Sequence, residues 1–102
     1  MNLNDSYKLI AKTIHQHLDL NKTKAFIFGS RATNKYQKFS DIDIGILSDD
    51  FLPLETISII KEKIEESDIP YLVDIVDFKH TSQKFKQVAL KNTINLKNFL
   101  YD

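Results

Sequence analysis

The chain has 102 residues, 42% of them hydrophobic and 27% charged, with fourteen basic residues balancing fourteen acidic ones. That length predicts one domain over residues 1–102, burying roughly two-thirds of the surface its unfolded chain exposes. The zero net charge gives no sign of a non-specific nucleic-acid binder, the lack of cysteine excludes disulfides and thiolate chemistry, and the lack of a leader-like start or long apolar stretch predicts a cytoplasmic protein without a membrane segment.

From the start, Leu3, Tyr7, Ile10, Ile14 and Leu18 recur at helical spacing, with Asn4 or Asp5 available as a cap. KAFIF, residues 24–28, is a β-favouring run that Gly29 ends, and Ser30 to Tyr36 predicts a short helix opening at that glycine. DIDIGIL, Asp41 to Leu47, alternates strictly. Its isoleucines fall on one face, while Asp41, Asp43 and Gly45 fall on the other. Ile57, Ile60 and Ile64 predict a helix over Leu54 to Ser67, with Pro70 after its end. YLVDIVDF, residues 71–78, predicts a third strand. TSQKFKQVALKN, residues 81–92, predicts a helix capped by Thr81 or Ser82 with Phe85, Val88 and Ala89 inward. The tail TINLKNFLYD fits no single period, and its apolar residues are expected to pack on the chain's own core rather than form an interface. The fold class is therefore α/β (α+β), a small mixed three-stranded sheet flanked by helices.

Asp41 and Asp43 point the same way from one strand, with Cα atoms roughly 6–7 Å apart. Carboxylates so close repel unless a proton or a cation lies between them. Mg²⁺ takes oxygen ligands of this kind, commonly one or two carboxylates plus substrate phosphates. A third carboxylate on a neighbouring strand would complete the set. Parity selects Asp74, which faces away from Val73 and Ile75, over Asp77, although twist at a strand end can bring Asp77 into play. Taken alone, Asp-x-Asp is common, and a sheet with one solvated face explains it equally well.

The residues before the strand shift that balance. A glycine closing a strand lets backbone N–H groups approach a ligand, and the following helix start offers free N–H groups to phosphate, with the Ser30 hydroxyl as a further donor. Gly29-Ser30, then ten residues, then Asp-x-Asp joins a phosphate cradle to a divalent-metal site, the apparatus of nucleotidyl transfer. The spacing is not that of a Walker loop. Arg31, the only arginine, is placed to contact phosphate or to pair with an acidic group. His15 and His17, two apart on a helix, do not share a face and are read as exposed polar residues. His80 is read as a loop or cap neighbour.

FIFGSRATNKYQKFSDIDIGIL followed by VDIVDF resembles the minimal nucleotidyltransferase (MNT) family of the DNA polymerase beta superfamily, over nearly the whole chain. The resemblance implies nucleotide binding at Gly29 and Ser30, to which the reading of the residues themselves adds Arg31. It implies two Mg²⁺ ions held by Asp41, Asp43 and Asp74, with Asp74 helping to deprotonate the acceptor. Asn34 departs from the family, which usually has a glycine there. Asparagine tolerates the left-handed backbone best among other residues, so the site is expected to survive the change. Family members often serve as antitoxins, moving AMP from ATP onto a tyrosine of a HEPN-domain ribonuclease toxin. The HEPN signature is absent, so the chain would be the antitoxin and the toxin a separate partner. Two alternatives stand beside this: an antitoxin that neutralises by binding alone, and a nucleotidyltransferase acting on a small molecule.

Overall fold

A computed structural model describes residues 1–101. The elements are α1 (Leu3–His17), β1 (Lys24–Phe28), α2 (Ser30–Thr33), β2 (Ile42–Leu47), α3 (Leu54–Glu65), β3 (Val73–Asp77), α4 (Gln83–Ala89) and β4 (Ile94–Asn95). Single 3₁₀ turns cover Phe78–His80 and Leu96–Phe99. The strands form one mixed sheet in the order β3-β2-β1-β4, with β1 antiparallel to both neighbours and β2 parallel to β3. Helix α3 supplies the crossover that a parallel pair needs.

Alternation decides which side of the sheet is buried. Ala25, Ile27, Ile42, Ile44, Ile46 and Ile75 share one face, and none is more than 5% exposed. Tyr7, Ile10, Ala11 and Ile14 of α1, together with Ile57, Ile60 and Ile64 of α3, pack on that face. Leu96 from the tail is fully buried in the same core, and Phe99 meets the Tyr7 ring at 5.4 Å, so the tail packs on its own chain. Helix α1 begins earlier than its spacing suggests. Asn2 is its cap, its Oδ1 accepting from the Asp5 N–H at 2.7 Å, because Leu3 already belongs to the first turn. Helix α4 is capped by Ser82, which accepts from the Phe85 N–H at 3.1 Å.

The opposite face is divided. One half carries an aromatic cluster in which the Phe78 ring lies 5.0 Å from Phe26, 5.1 Å from Phe28 and 5.4 Å from Phe85. Gly45 sits beneath it. A Cβ built there would overlap the Phe26 ring and come within 2.7 Å of Phe78 Cε1. The absent side chain thus makes room for rings packed edge to face rather than for a ligand. Gly45→Ala is expected to destabilise the fold by about 1–3 kcal/mol, the usual cost of overpacking a filled core. Urea unfolding measures this.

Two features differ from the expected pattern. The sheet has a fourth strand, β4, which pairs with β1 through Ile94 and Asn95 alone, too short a run to show any periodicity. Helix α4 buries no residue fully. Phe85 is 40% and Val88 65% exposed, so Val88 does not point inward, while Phe85 and Ala89 pack partly on the aromatic cluster. Seven residues give two turns, and so short an amphipathic pattern fixes the facing direction poorly.

Candidate active site

The other half of that face is acidic. Strand register places Phe28 opposite Asp43, and Asp43 opposite Asp74 on the next strand, so Asp43 occupies the middle of the row. Asp41 lies just before β2 and is exposed, as is Asp74, whereas Asp43 is half-buried. Parity therefore separates the β3 aspartates as expected. Asp77 pairs with Ile46 and is used locally: its Oδ1 accepts from the Lys79 N–H at 3.0 Å, and its Oδ2 lies 3.8 Å from His80 Nε2. It is a turn cap.

Asp43 senses the other two carboxylates. Burial, and then the charges of Asp74 and Asp41, push the Asp43 carboxyl above its ordinary range. Among the described residues no lysine or arginine forms an ion pair with any of the three. Nor are three acidic or imidazole groups closed into an ion-holding cage as they stand. The donor chemistry nonetheless suits a hard cation. These are oxygen ligands of like charge, with Asp43 and Asp74 on adjacent strand backbones about 4.8 Å apart. The sign of the shift gives a test. A carboxyl with a raised pKa holds its proton to higher pH, and a divalent cation, which binds only the ionised form, must pull that pKa down. Following the Asp43 carboxyl carbon by NMR is therefore expected to give a midpoint above that of an ordinary aspartate, falling when Mg²⁺ is added. A midpoint indifferent to Mg²⁺ would argue against cation binding here.

Gly29 forms the wall beside Asp43. Its backbone has φ 74° and ψ −149°, a region essentially closed to residues with a Cβ. A Cβ placed there would sit 2.6 Å from Asp43 Oδ2. The glycine lets the end of β1 turn directly over the carboxylate and start α2. Ser30 opens that helix, and the first N–H groups of a helix have no intrahelical partner. Asn34 ends it in the left-handed conformation, φ 59° and ψ 23°, the role expected of a glycine substitute.

Arg31 is placed differently from the other candidates. It is 3% exposed, its Nη2 donating to the Ser40 carbonyl at 2.7 Å and the Lys38 carbonyl at 3.4 Å. Its guanidinium lies over the Tyr36 and Tyr71 rings, 4.5 and 5.0 Å from their centroids. Nothing in the sequence spacing marks these tyrosines as its neighbours, because both come from irregular segments. The histidines stay apart from the acidic row: His15 Nδ1 accepts from the Leu20 N–H at 3.2 Å, and His17 Nε2 is buried without a hydrogen-bond partner among the described residues.

Residues 8–98 match the family described as "Polymerase beta, Nucleotidyltransferase". The chain belongs to that family. A Haemophilus influenzae protein named "Probable protein adenylyltransferase MntA" is 39% identical over 82 residues, covering 80% of this chain and 71% of that protein. Two solved structures share the fold. One, described as a toxin–antitoxin with AMP-PNP, superposes with a TM-score of 0.69 at 24% identity, covering 94% of this chain and 81% of the other. The second is a Shewanella oneidensis tri-AMPylated HEPN toxin in complex with MNT antitoxin, with a TM-score of 0.58 at 24% identity over 92% of this chain and 80% of the other. No helix among the described residues is long and apolar enough to cross a membrane.

Proposed function

We propose that the chain is a Mg²⁺-dependent protein adenylyltransferase, moving AMP from ATP to a tyrosine of a HEPN-type toxin and so acting as its antitoxin. The observation that carries this reading is the register of Asp43 against Asp74, with Gly29 folded over the Asp43 carboxylate. The 39% identity to a protein named as an adenylyltransferase supports the choice of reaction, and the HEPN complex of a structural neighbour supports the choice of partner.

In this reading Gly29 and Ser30 receive the phosphate end of ATP, where the backbone can come close and the helix start presents N–H donors. Asp41, Asp43 and Asp74 would hold Mg²⁺, which when bound neutralises phosphate charge and acidifies the acceptor hydroxyl. Asp74, exposed at the edge of the row, takes the proton from the incoming tyrosine, whose ordinary pKa near 10 calls for such help. The tyrosine oxygen forms a bond to the α-phosphorus, the bond to the bridging oxygen breaks, and pyrophosphate leaves.

Position-specific labelling tests the chemistry. ATP labelled at the α-phosphate should pass its label to the partner, while γ-labelled ATP should leave all label in pyrophosphate. Label arriving from the γ-position would mean phosphoryl transfer. Neutralisation of the partner with no label transferred would mean inhibition by docking alone.

A further inference from the structure

We propose that Arg31 is a positioning residue that sets the acidic row, rather than a group that touches the nucleotide. This rests on the adenylyltransferase reading above and adds to it the device that aligns the site.

The placement of Arg31 ties the parts of the site together. It stands on α2, directly after Gly29-Ser30. Its Nη2 holds the carbonyls of Lys38 and Ser40, and Ser40 is the residue before Asp41. Its flat guanidinium also faces Tyr71, three residues ahead of Asp74, and Tyr36 in the connecting loop. The Ile42 N–H donates to the Leu72 carbonyl at 2.9 Å, closing the two strand entrances against each other just beyond this contact. One buried cation therefore fastens the phosphate turn, the Asp41–Asp43 approach and the Asp74 approach. At 3% exposure it has almost no surface to offer a ligand.

Its planar shape suits that task. A planar guanidinium can stack on two rings while donating in its own plane, which an ammonium cannot do. The chain otherwise draws its basic residues entirely from lysine. An arginine at this one buried point is what a stacked, hydrogen-bonded cation requires.

The test uses Arg31→Lys, Arg31→Met and Tyr71→Phe. The first reading is Mn²⁺ binding followed by electron paramagnetic resonance without nucleotide. The second is amide hydrogen exchange of the metal-free chain. Arg31→Lys is expected to weaken Mn²⁺ binding by about tenfold, as supports of metal ligands typically do. It should also speed exchange at residues 35–41 and 71–74 while α1 keeps wild-type protection. Tyr71→Phe keeps the ring and should behave as wild type. If Arg31→Met does not fold, Arg31→Lys and Tyr71→Leu carry the comparison. Unchanged Mn²⁺ binding and loop exchange in Arg31→Lys would overturn the proposal. Faster exchange spread evenly over the chain would overturn it too, as would a loss confined to ATP affinity. If wild type itself binds no Mn²⁺, the metal assignment fails while the exchange pattern still decides the role of Arg31.

Discussion

Asp43→Asn is expected to abolish adenylate transfer while leaving the chain at least as stable as wild type. The activity loss should be on the order of a thousandfold, the equivalent of the several kcal/mol that a held metal ion contributes to charge stabilisation. The stability change has the opposite sign for an electrostatic reason. Asp43 is half-buried beside Asp74 and Asp41, and its carboxyl is shifted upward. A folded-state pKa above the unfolded one means that the native state binds more protons between the two values, so stability falls as pH rises through that window. Above it the ionised carboxylate opposes folding fully. Asparagine removes that burden and keeps the side-chain volume. Thermal unfolding at neutral pH without metal should show a melting temperature equal to or above wild type. In acid, below both pKa values, the advantage should vanish. A variant that loses activity because it unfolds would show the charge to be structural instead.

The second large effect is expected at Gly29. Gly29→Ala meets two obstacles together. Its backbone conformation is closed to alanine at a cost of about 1–3 kcal/mol, and its Cβ would lie 2.6 Å from Asp43 Oδ2. The carboxylate is the more movable partner, so much of the collision should be relieved by displacing the group that the site depends on. Transfer should fall by about a hundredfold, in keeping with a misplacement near 1 Å, with only moderate destabilisation. Separating kcat from KM for ATP distinguishes the routes. A displaced Asp43 lowers kcat, whereas a damaged phosphate turn raises KM. Wild-type kinetics in Gly29→Ala would remove the turn from the site.

The contrast between Gly29 and Gly45 shows how far the sequence could be read. Both glycines attract attention in a chain that has only two, and proximity to the aspartates suggests a shared reason. Gly29 has a backbone reason and faces the carboxylate, while Gly45 is small because Phe26 and Phe78 occupy the space above it. The first reason is local and leaves a trace in the order strand, glycine, helix. The second depends on a ring that arrives from the end of β3 and leaves no trace in spacing.

The same division runs through the rest of the molecule. Alternation along β3 was enough to favour Asp74 over Asp77, because strand parity is a local property, whereas the register that sets Asp74 beside Asp43 lies outside the pattern. Asn34 could be assigned its left-handed turn because the family usually has a glycine there and asparagine best tolerates that backbone. By contrast, β4 is defined only by its partner, and α4 is oriented by the contacts of Phe85 with Phe28 and Phe78. Arg31 was visible as an unusual residue, but its setting was not. A cation flanked by Tyr36 and Tyr71 and bonded to two carbonyls reads in sequence the same as one awaiting a phosphate.

The measurement that bears most directly on the central claim is the intact mass of a HEPN-type partner after incubation with this chain, ATP and Mg²⁺, with Asp43→Asn alongside. A gain of one or more adenylate units with wild type, and none with Asp43→Asn, is the expected result. A partner that is bound and silenced with its mass unchanged would contradict catalysis and leave the acidic row as a feature of a docking protein.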